Sequence, residues 1–430
     1  MLLIYTQKIT PRFTYVFKHI CTRILGIEIK FTNAIETFIA EDGPKLSYGK
    51  QPLGNELFLQ SQEILSHQGI ESVEINVKPW EETKCFFQVS DKSALPFDIF
   101  SASFYLLSRY EEYLPHVKDE YGRFPASESL AFKENFLQYP VIDIWAYKFK
   151  IVLSENFPDL SFFKKEMEIH NLIEASNPYA FKQKGLLKSI IGFTKDTLKF
   201  RISKNFRRTK VLLGIKTDPF NTFEWVISQS KSNKTKLTVF FLMGNDLNYY
   251  EGINAQKKRY RMLIKFVSDY KNIGLIFSSI SLLNLTAIKK EKEQLENVIN
   301  SELTSSVNKG YFVKLPEFYR NLIEVEVEKD FTMVYEETVG FRASTCTPFL
   351  FYDLDYEIKT PLIIQPIALT THAFKNKKSS DIRDSVLHIL ASVNKVNGTF
   401  SMFFTNLDFI DNKRNKIWRE LFSEKLQKNV

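Results

Sequence analysis

The stretch Asn171-Leu172-Ile173-Glu174-Ala175-Ser176-Asn177-Pro178-Tyr179-Ala180-Phe181 decides how we divide this chain of 430 residues. It begins as an apolar run and ends in polar residues, and after it strand-like and helix-like segments alternate. In an α/β barrel the catalytic residues follow the carboxyl ends of the strands. We therefore predict the first strand of a second domain here, with Glu174, Ser176 and Asn177 in the turn where chemistry would begin.

The second part of the chain, residues 166–430, contains six or seven apolar strand candidates separated by helices. The strands are predicted at residues 168–173, 237–243, 273–277, 305–308, 331–334, 362–367 and 399–404. The helices are predicted at residues 182–210, 219–232, 257–270, 287–300, 316–325, 381–394 and 417–427, with Asp218 as the cap of the second. Continuous apolar strands are typical of a parallel sheet that is covered on both faces. The pattern predicts an α/β domain with a parallel barrel or a doubly wound sheet.

Residues 1–165 show a different pattern and are predicted to form a smaller α+β domain. Short strand candidates lie near residues 2–5 and 27–31, and helices are predicted at residues 11–25, 99–107 and 141–157. Acidic residues follow the second of these helices and lie near His116 in the sequence. No recognisable ligand spacing accompanies them, so we interpret this acidic segment as an exposed loop.

The composition is that of a globular protein, with 44% apolar and 25% charged residues. The net charge is +8, with local concentrations at residues 195–210, 257–261 and 375–378. The densest basic run could contact an anionic glycan or a lipid surface, or form a solvated helix face. No nucleic-acid motif accompanies it, so nucleic acid is not an expected partner.

The expected location is the cytoplasm. Three cysteines, far apart in the sequence, fit a reducing compartment. The first residues lack the pattern of a secretion signal, and no apolar run approaches the length of a transmembrane segment. A peripheral association with the inner membrane stays open.

Polar residues that follow the predicted strands form the candidate site. They are Glu174, Ser176, Asn177, Asn245, Asp246, Ser278, Ser279, Asn308, Lys309, Arg342, Thr371, His372, Thr405 and Asn406. A hydrolytic metal site needs about three His or carboxylate ligands. Here Glu174, Asp246 and His372 could contribute, and none has a partner at metal-ligand spacing. The sequence also lacks a serine-hydrolase elbow and a glycine-rich phosphate loop.

Several motifs, taken in order, resemble the polysaccharide deacetylase family (carbohydrate esterase family 4), in a two-domain branch found in Bacteroidota. They are Pro96-Phe97-Asp98-Ile99-Phe100, Ser108-Arg109-Tyr110-Glu111-Glu112-Tyr113, Gly122-Arg123-Phe124-Pro125, Tyr179-Ala180-Phe181-Lys182, Leu315-Pro316-Glu317 and Gly340-Phe341-Arg342-Ala343. The resemblance implies a distorted (β/α) barrel and hydrolysis of acetyl groups on a glycan. It also implies a divalent metal such as zinc, held by an Asp and His residues.

The resemblance places most of the catalytic set on residues that cannot do this chemistry. The base position falls on Glu174, and the other degenerate catalytic positions are Thr371 and Thr405. The metal-ligand positions fall on Ser176, Ile276 and Lys309. Arg342, Asn177 and Asn406 stand where the family motifs put them, and with Tyr179 they are the predicted substrate-binding residues. An aliphatic side chain offers a metal no lone pair, and a lysine adds positive charge, so we expect no metal cofactor.

We therefore predict a deacetylase-like protein without catalysis that binds or regulates a glycan or glycan precursor in cell-surface polysaccharide metabolism. A second interpretation is an active N- or O-deacetylase with a rearranged site that uses Asp246 and His372. A third is a structural partner of an active deacetylase paralogue or of a glycan-assembly enzyme.

Overall fold

We describe the protein from a computed structural model, which covers residues 1–175, 178–182, 186–244, 257–279 and 281–424. The first module contains a four-stranded, all-parallel sheet in the order β2-β1-β3-β4 and a two-stranded hairpin. Its strands are β1 (Leu2–Tyr5), β2 (Ile29–Thr32), β3 (Lys45–Gly49), β4 (Leu57–Gln60), β5 (Lys78–Trp80) and β6 (Thr83–Cys85). Its helices are α1 (Pro11–Phe17), α2 (Ile35–Ile39), α3 (Ile99–Leu107), α4 (Tyr110–Tyr113), α5 (Leu130–Lys133) and α6 (Val141–Asn156). A π-helical segment, Lys18–Ile24, extends α1.

The second module is built on a nine-stranded sheet that is parallel except for one antiparallel pair. Its strands are β7 (Glu168–Glu174), β8 (Lys236–Leu242), β9 (Asn272–Phe277), β10 (Ser305–Asn308), β11 (Lys329–Asp330), β12 (Phe349–Asp353), β13 (Ile358–Ile364), β14 (Leu369–Thr370) and β15 (Thr399–Thr405). Its helices are α7 (Leu186–Leu198), α8 (Ile202–Leu212), α9 (Phe223–Asn233), α10 (Lys258–Ser268), α11 (Leu285–Ile299), α12 (Glu317–Glu324), α13 (Ser379–Lys395) and α14 (Lys416–Ser423). The predicted mixed α/β class with a large parallel sheet is confirmed.

The sheet is open, which corrects the predicted barrel. The hydrogen-bonded order is β12-β13-β11-β10-β9-β8-β7-β15-β14, and within the described residues no pairing joins β12 to β14. The antiparallel hairpin of β12 and β13 occupies one end of the sheet, where the sequence predicted a single strand at residues 362–367. The two modules have separate sheets, and the domain boundary at residue 165 stays a prediction.

The large sheet curves around a second, inner cluster of apolar side chains. This inner cluster consists of Leu172, Phe240, Leu242, Ile276, Val307, Tyr311, Phe331, Val334, Ile367 and Phe403. The ring of Phe240 in β8 lies 5.1 Å from that of Phe331, just beyond β11, although three strand spacings separate the two strands. A flat sheet would hold them about 14 Å apart. The sheet therefore curls over the inner cluster without closing.

Neighbouring residues of the strands alternate between the two faces of the sheet. Phe240 belongs to the inner cluster, whereas Val239 and Phe241 belong to the main core that packs against the helices. Since both faces are buried, these strands appear in the sequence as continuous apolar runs. This is why the sequence predicted their positions to within a few residues.

Gly274 in β9 makes room for the aromatic ring that fills the inner cluster. A Cβ atom at this position would lie 2.3 Å from two ring carbons of Phe240. We expect Gly274→Ala to lower the free energy of unfolding by about 1–3 kcal/mol, because a packed core cannot absorb the extra methyl group. Chemical denaturation measures the change. Gly49→Ala is the matched control, because its Cβ would meet no atom closer than 3.9 Å; equal losses in both variants would contradict this packing.

Two local predictions need correction. Asp218 does not cap α9, which begins at Phe223. Its carboxylate instead accepts hydrogen bonds from the backbone N–H groups of Ala180, Phe181 and Lys182, at 2.7, 3.0 and 3.0 Å. It thereby fixes part of the loop that follows β7. The strand predicted at residues 331–334 is also wrong, since the strand here is β11 and Phe331 follows it.

The two modules are joined by buried polar contacts. The Arg342 guanidinium donates to both carboxylate oxygens of Glu112, at 2.9 and 2.7 Å, and Arg109 donates to the same carboxylate at 2.8 Å. In α6, Asp143 accepts hydrogen bonds from the hydroxyl groups of Thr345 and Thr347, at 2.6 and 2.5 Å. These contacts tie the first module to the segment between β11 and β12.

Candidate functional site

The candidate site lies at the carboxyl ends of β7, β9, β10, β14 and β15, above the inner cluster. Glu174 is the last residue of β7, and its carboxylate pairs with the Nζ atom of Lys309, which follows β10. The side chain of Glu174 is 9% exposed and that of Lys309 is 24% exposed. Glu174, which the resemblance predicts at the position of the general base, is thus paired with a cation.

Ile276 is an apolar residue near the same end of the sheet. It lies in β9, one strand from β10, and it is 1% exposed as a member of the inner cluster. Its aliphatic side chain has no donor atom for a metal. Lys309, which the resemblance also predicts at a metal-ligand position, directs its ammonium group to Glu174. These two residues do not fit a divalent cation.

Thr371 and Thr405, which the resemblance predicts at catalytic positions, both contact a third residue, Asp408. Both hydroxyl groups donate to the same carboxylate oxygen of Asp408, at 2.8 and 2.9 Å, and the backbone N–H of Thr405 donates to it at 2.7 Å. Burial raises the pKa of Asp408, while these hydrogen bonds act in the opposite direction. The two threonines therefore hold a partly buried carboxyl group just beyond β15.

His372 is held at the rim by a carboxylate that the sequence analysis did not select. Its Nδ1 atom lies 3.0 Å from Oε1 of Glu336, and Arg123 of the first module lies 2.7 Å from Oε2. Burial raises the pKa of Glu336, but His372 and Arg123 outweigh it and bring the pKa to about 2. The hydrogen bond with Glu336 raises the pKa of His372, and Glu174 and Asp408 add to this effect. His372 is thus an oriented imidazole near two further carboxylates.

The predicted substrate-binding residues that are described have protein partners. Tyr179 donates its hydroxyl to the backbone oxygen of Arg259 at 3.1 Å, and Asn406 donates to that of Phe220 at 2.9 Å. Arg342 is buried against Glu112. That these residues contact a substrate stays a prediction.

Other predicted residues fall outside the site or outside the described part of the chain. Ser176, Asn177, Asn245 and Asp246 lie outside the described residues. Ser278 hydrogen-bonds to Glu291 in α11, and Asn308 donates to the backbone oxygen of Phe312. Within the described ranges, no group of three or more His, Cys, Asp or Glu side chains is arranged to hold a metal ion.

Sequence reasoning missed Glu336, Asp408 and Glu112. Asp408 had a local signal, because Thr405 and Asp408 have the spacing of a capping box and form one in the structure. Glu336 had no local signal. The partners of Glu336, which are His372 and Arg123, lie 36 and 213 residues away, so no periodicity or spacing links them. Glu112 belongs to the acidic segment that we interpreted as an exposed loop, and the structure corrects this, because Glu112 lies in α4 and its side chain is 4% exposed.

The fold and this rim define an α/β protein with a large, curved and mostly parallel sheet. A model for a family of unknown function, DUF7033, matches residues 2–158, which is just over a third of the chain. No curated protein matches the sequence.

Solved structures of deacetylases and of a pseudoenzyme are similar to part of this chain. A Mycobacterium smegmatis protein described as a polysaccharide deacetylase shares 11% identity at a TM-score of 0.40, over 61% of this chain and 84% of that one. BA3943 of Bacillus anthracis, a CE4 family pseudoenzyme, shares 9% identity at a TM-score of 0.31, over 62% of this chain and 60% of that one. The polysaccharide deacetylase Bc1974 from Bacillus cereus shares 9% identity at a TM-score of 0.30, over 62% of this chain and 88% of that one. Likeness at this level assigns no activity to the chain.

Proposed function

We propose that this chain is a polysaccharide-deacetylase-like protein, with a distorted barrel-like sheet, that has lost metal-dependent hydrolysis. In this proposal it binds or regulates a glycan or glycan precursor in cell-surface polysaccharide metabolism, from the cytoplasm. The observation that carries the loss of catalysis is the ion pair between Lys309 and Glu174. A carboxylate that is paired with a lysine is a poor metal ligand and a poor general base, because the ammonium group repels a second cation and stabilises the negative charge that either role would use.

The motifs quoted above support the glycan part of the proposal. Arg123, Arg109 and Arg342 belong to those motifs, and in the structure they hold the first module against the rim and the segment behind it. The first module thus contributes Arg123 directly to the carboxylate that orients His372. Its role in the proposal is to shape the rim where a glycan would bind.

Zinc binding and acetate release test this proposal. After incubation with excess zinc and gel filtration, we expect substoichiometric zinc by elemental analysis and no acetate release from N-acetylated chitooligosaccharides. The comparison is the triple variant Ser176→Asp/Ile276→His/Lys309→His, which returns donor atoms to the three ligand positions that the resemblance implies. We expect it to retain more zinc than the parent protein. One zinc per parent chain, lost in Glu174→Gln, would contradict the proposal.

The dyad of His372 and Glu336 favours a second candidate function, an active deacetylase with a rearranged site. An imidazole whose Nδ1 is fixed by a carboxylate can exchange a proton near neutral pH. The same assay separates the two functions. Acetate release that persists in a chelator and disappears in His372→Gln supports the rearranged site and excludes the loss of catalysis.

A further inference from the structure

A helical hairpin next to the candidate site carries the entire charge excess of the protein. The hairpin consists of α7, α8 and the residues that follow them, residues 186–216. This segment contains nine of the 58 Lys and Arg residues and one of the 50 Asp and Glu residues. The rest of the chain is therefore neutral, with 49 of each. The net charge of +8 is therefore concentrated in these 31 residues.

The contacts between the two helices of the hairpin are polar. Asp196 of α7 is buried and pairs with Arg208 of α8 at 2.5 Å and with Lys204 at 3.2 Å. Asn205 of α8 donates to the backbone oxygen of Phe193 at 3.1 Å. A Cβ atom on Gly192 would lie 2.6 Å from Arg208, so the absence of a side chain there admits the guanidinium.

Among the described apolar side chains of the hairpin, only Val211 is buried, and the others are exposed to solvent. Ten of the large apolar side chains that the described part of the chain leaves exposed lie between residues 190 and 215. At the turn between the helices, Leu198, Phe200 and Ile202 are 82%, 87% and 72% exposed. Ile202 and Phe206 lie four residues apart and so share one face of α8. A helix pair in water normally buries its apolar faces between the helices, and this hairpin does the reverse.

We propose that this hairpin binds the surface of a membrane rich in anionic phospholipids, with Leu198, Phe200 and Ile202 entering the headgroup layer. Apolar side chains beside basic ones are the pattern of helices that lie in a bilayer interface. Each Lys or Arg near such a surface adds attraction, and the hairpin brings several at once. Lys210 already has its ammonium group 4.2 Å from the ring of Phe206, so basic and apolar groups occupy one surface.

The charge argues for lipid against a second copy of this chain. Two hairpins placed face to face would oppose two charges of +8, which disfavours association. None of the described helices is long and apolar enough to cross a bilayer, so the hairpin would lie on the membrane. It is anchored to the site through Phe181, whose ring lies 5.3 Å from the Arg208 guanidinium. Binding would therefore bring the carboxyl end of β7 close to the lipid surface.

Vesicle sedimentation tests this proposal with the full chain. We expect the protein to sediment with phosphatidylcholine vesicles that contain phosphatidylglycerol, to sediment less when salt is added, and to stay in solution with phosphatidylcholine alone. Leu198→Ser/Phe200→Ser/Ile202→Ser and Lys199→Glu/Arg201→Glu should each weaken binding by about tenfold or more. The control variants are Ile35→Ser/Ile39→Ser and Lys377→Glu/Lys378→Glu, exposed residues elsewhere that should leave binding unchanged.

Three outcomes would overturn the proposal. The parent protein could stay in solution with anionic vesicles, or the hairpin variants could bind as well as the parent. The parent could also be a dimer by light scattering that the serine variant converts to a monomer, in which case the apolar face binds a second copy. Circular dichroism of each variant checks that the fold is retained.

Discussion

Replacing Glu112 with Gln is expected to lower the free energy of unfolding by about 3–5 kcal/mol, because it leaves the buried guanidinium group of Arg342 without a carboxylate and that of Arg109 with Glu111 alone. The Glu112 carboxylate accepts from Arg342 at 2.9 and 2.7 Å and from Arg109 at 2.8 Å, and all three side chains are buried. Urea denaturation at neutral pH measures the loss. Glu155→Gln is the control, because Glu155 is exposed, and it should change stability by no more than about 0.5 kcal/mol.

The same residue predicts how stability depends on pH. Burial by itself raises the pKa of Glu112, but Arg342 and Arg109 lower it to about 2. This lies below the value of about 4.3 for an unfolded chain, so ionised Glu112 stabilises the protein above that pH. This contribution is lost as the pH falls towards 2. The difference in the free energy of unfolding between the parent protein and Glu112→Gln should therefore become smaller over that range. A difference in the free energy of unfolding that stays constant with pH would contradict the stabilising role of ionised Glu112.

Replacing Lys309 with Met is expected to cost about 2–3 kcal/mol of stability at neutral pH. The substitution keeps the length of the side chain but removes a cation from a carboxylate that is 9% exposed. The loss lies below the range for fully buried pairs because Lys309 itself is partly exposed. Thermal and urea denaturation measure it.

A double variant separates charge from packing in this prediction. Glu174→Gln/Lys309→Met removes both charges and should recover at least part of the lost stability. Lys314→Met is the matched control, since Lys314 pairs with Glu317 at 3.3 Å on the surface, where such pairs contribute little. If Lys309→Met is as stable as the parent, the ion pair does not hold the rim together and the argument against a metal site weakens.

The sequence predicted the elements well because their signals are local. The apolar run of β8 and the helical spacing of α6 depend on neighbours within a few residues, and both were confirmed with small shifts in their ends. Closure of the sheet was predicted wrongly, because closure depends on pairing between strands that are far apart in the chain. No local pattern separates an open curved sheet from a barrel.

The sequence could place residues at the ends of strands, but it could not predict which side chains contact each other there. Glu174, Thr371 and Thr405 lie at strand ends, as predicted. The sequence could not show that Lys309 turns to Glu174, which is 135 residues away, or that both threonines donate to Asp408. Such contacts follow from the order of strands in the sheet.

The sequence by itself determined the residue types at the rim, the segments of the large sheet and the basic run near residue 200. An isoleucine at position 276 excludes a metal ligand there in any fold. Only the tertiary structure decided that Lys309 neutralises Glu174, that Arg342 joins the modules through Glu112, and that the hairpin turns its apolar side chains outward. The physical reason is that composition and periodicity describe one segment at a time, whereas charge pairing and burial depend on which distant segments the fold brings together.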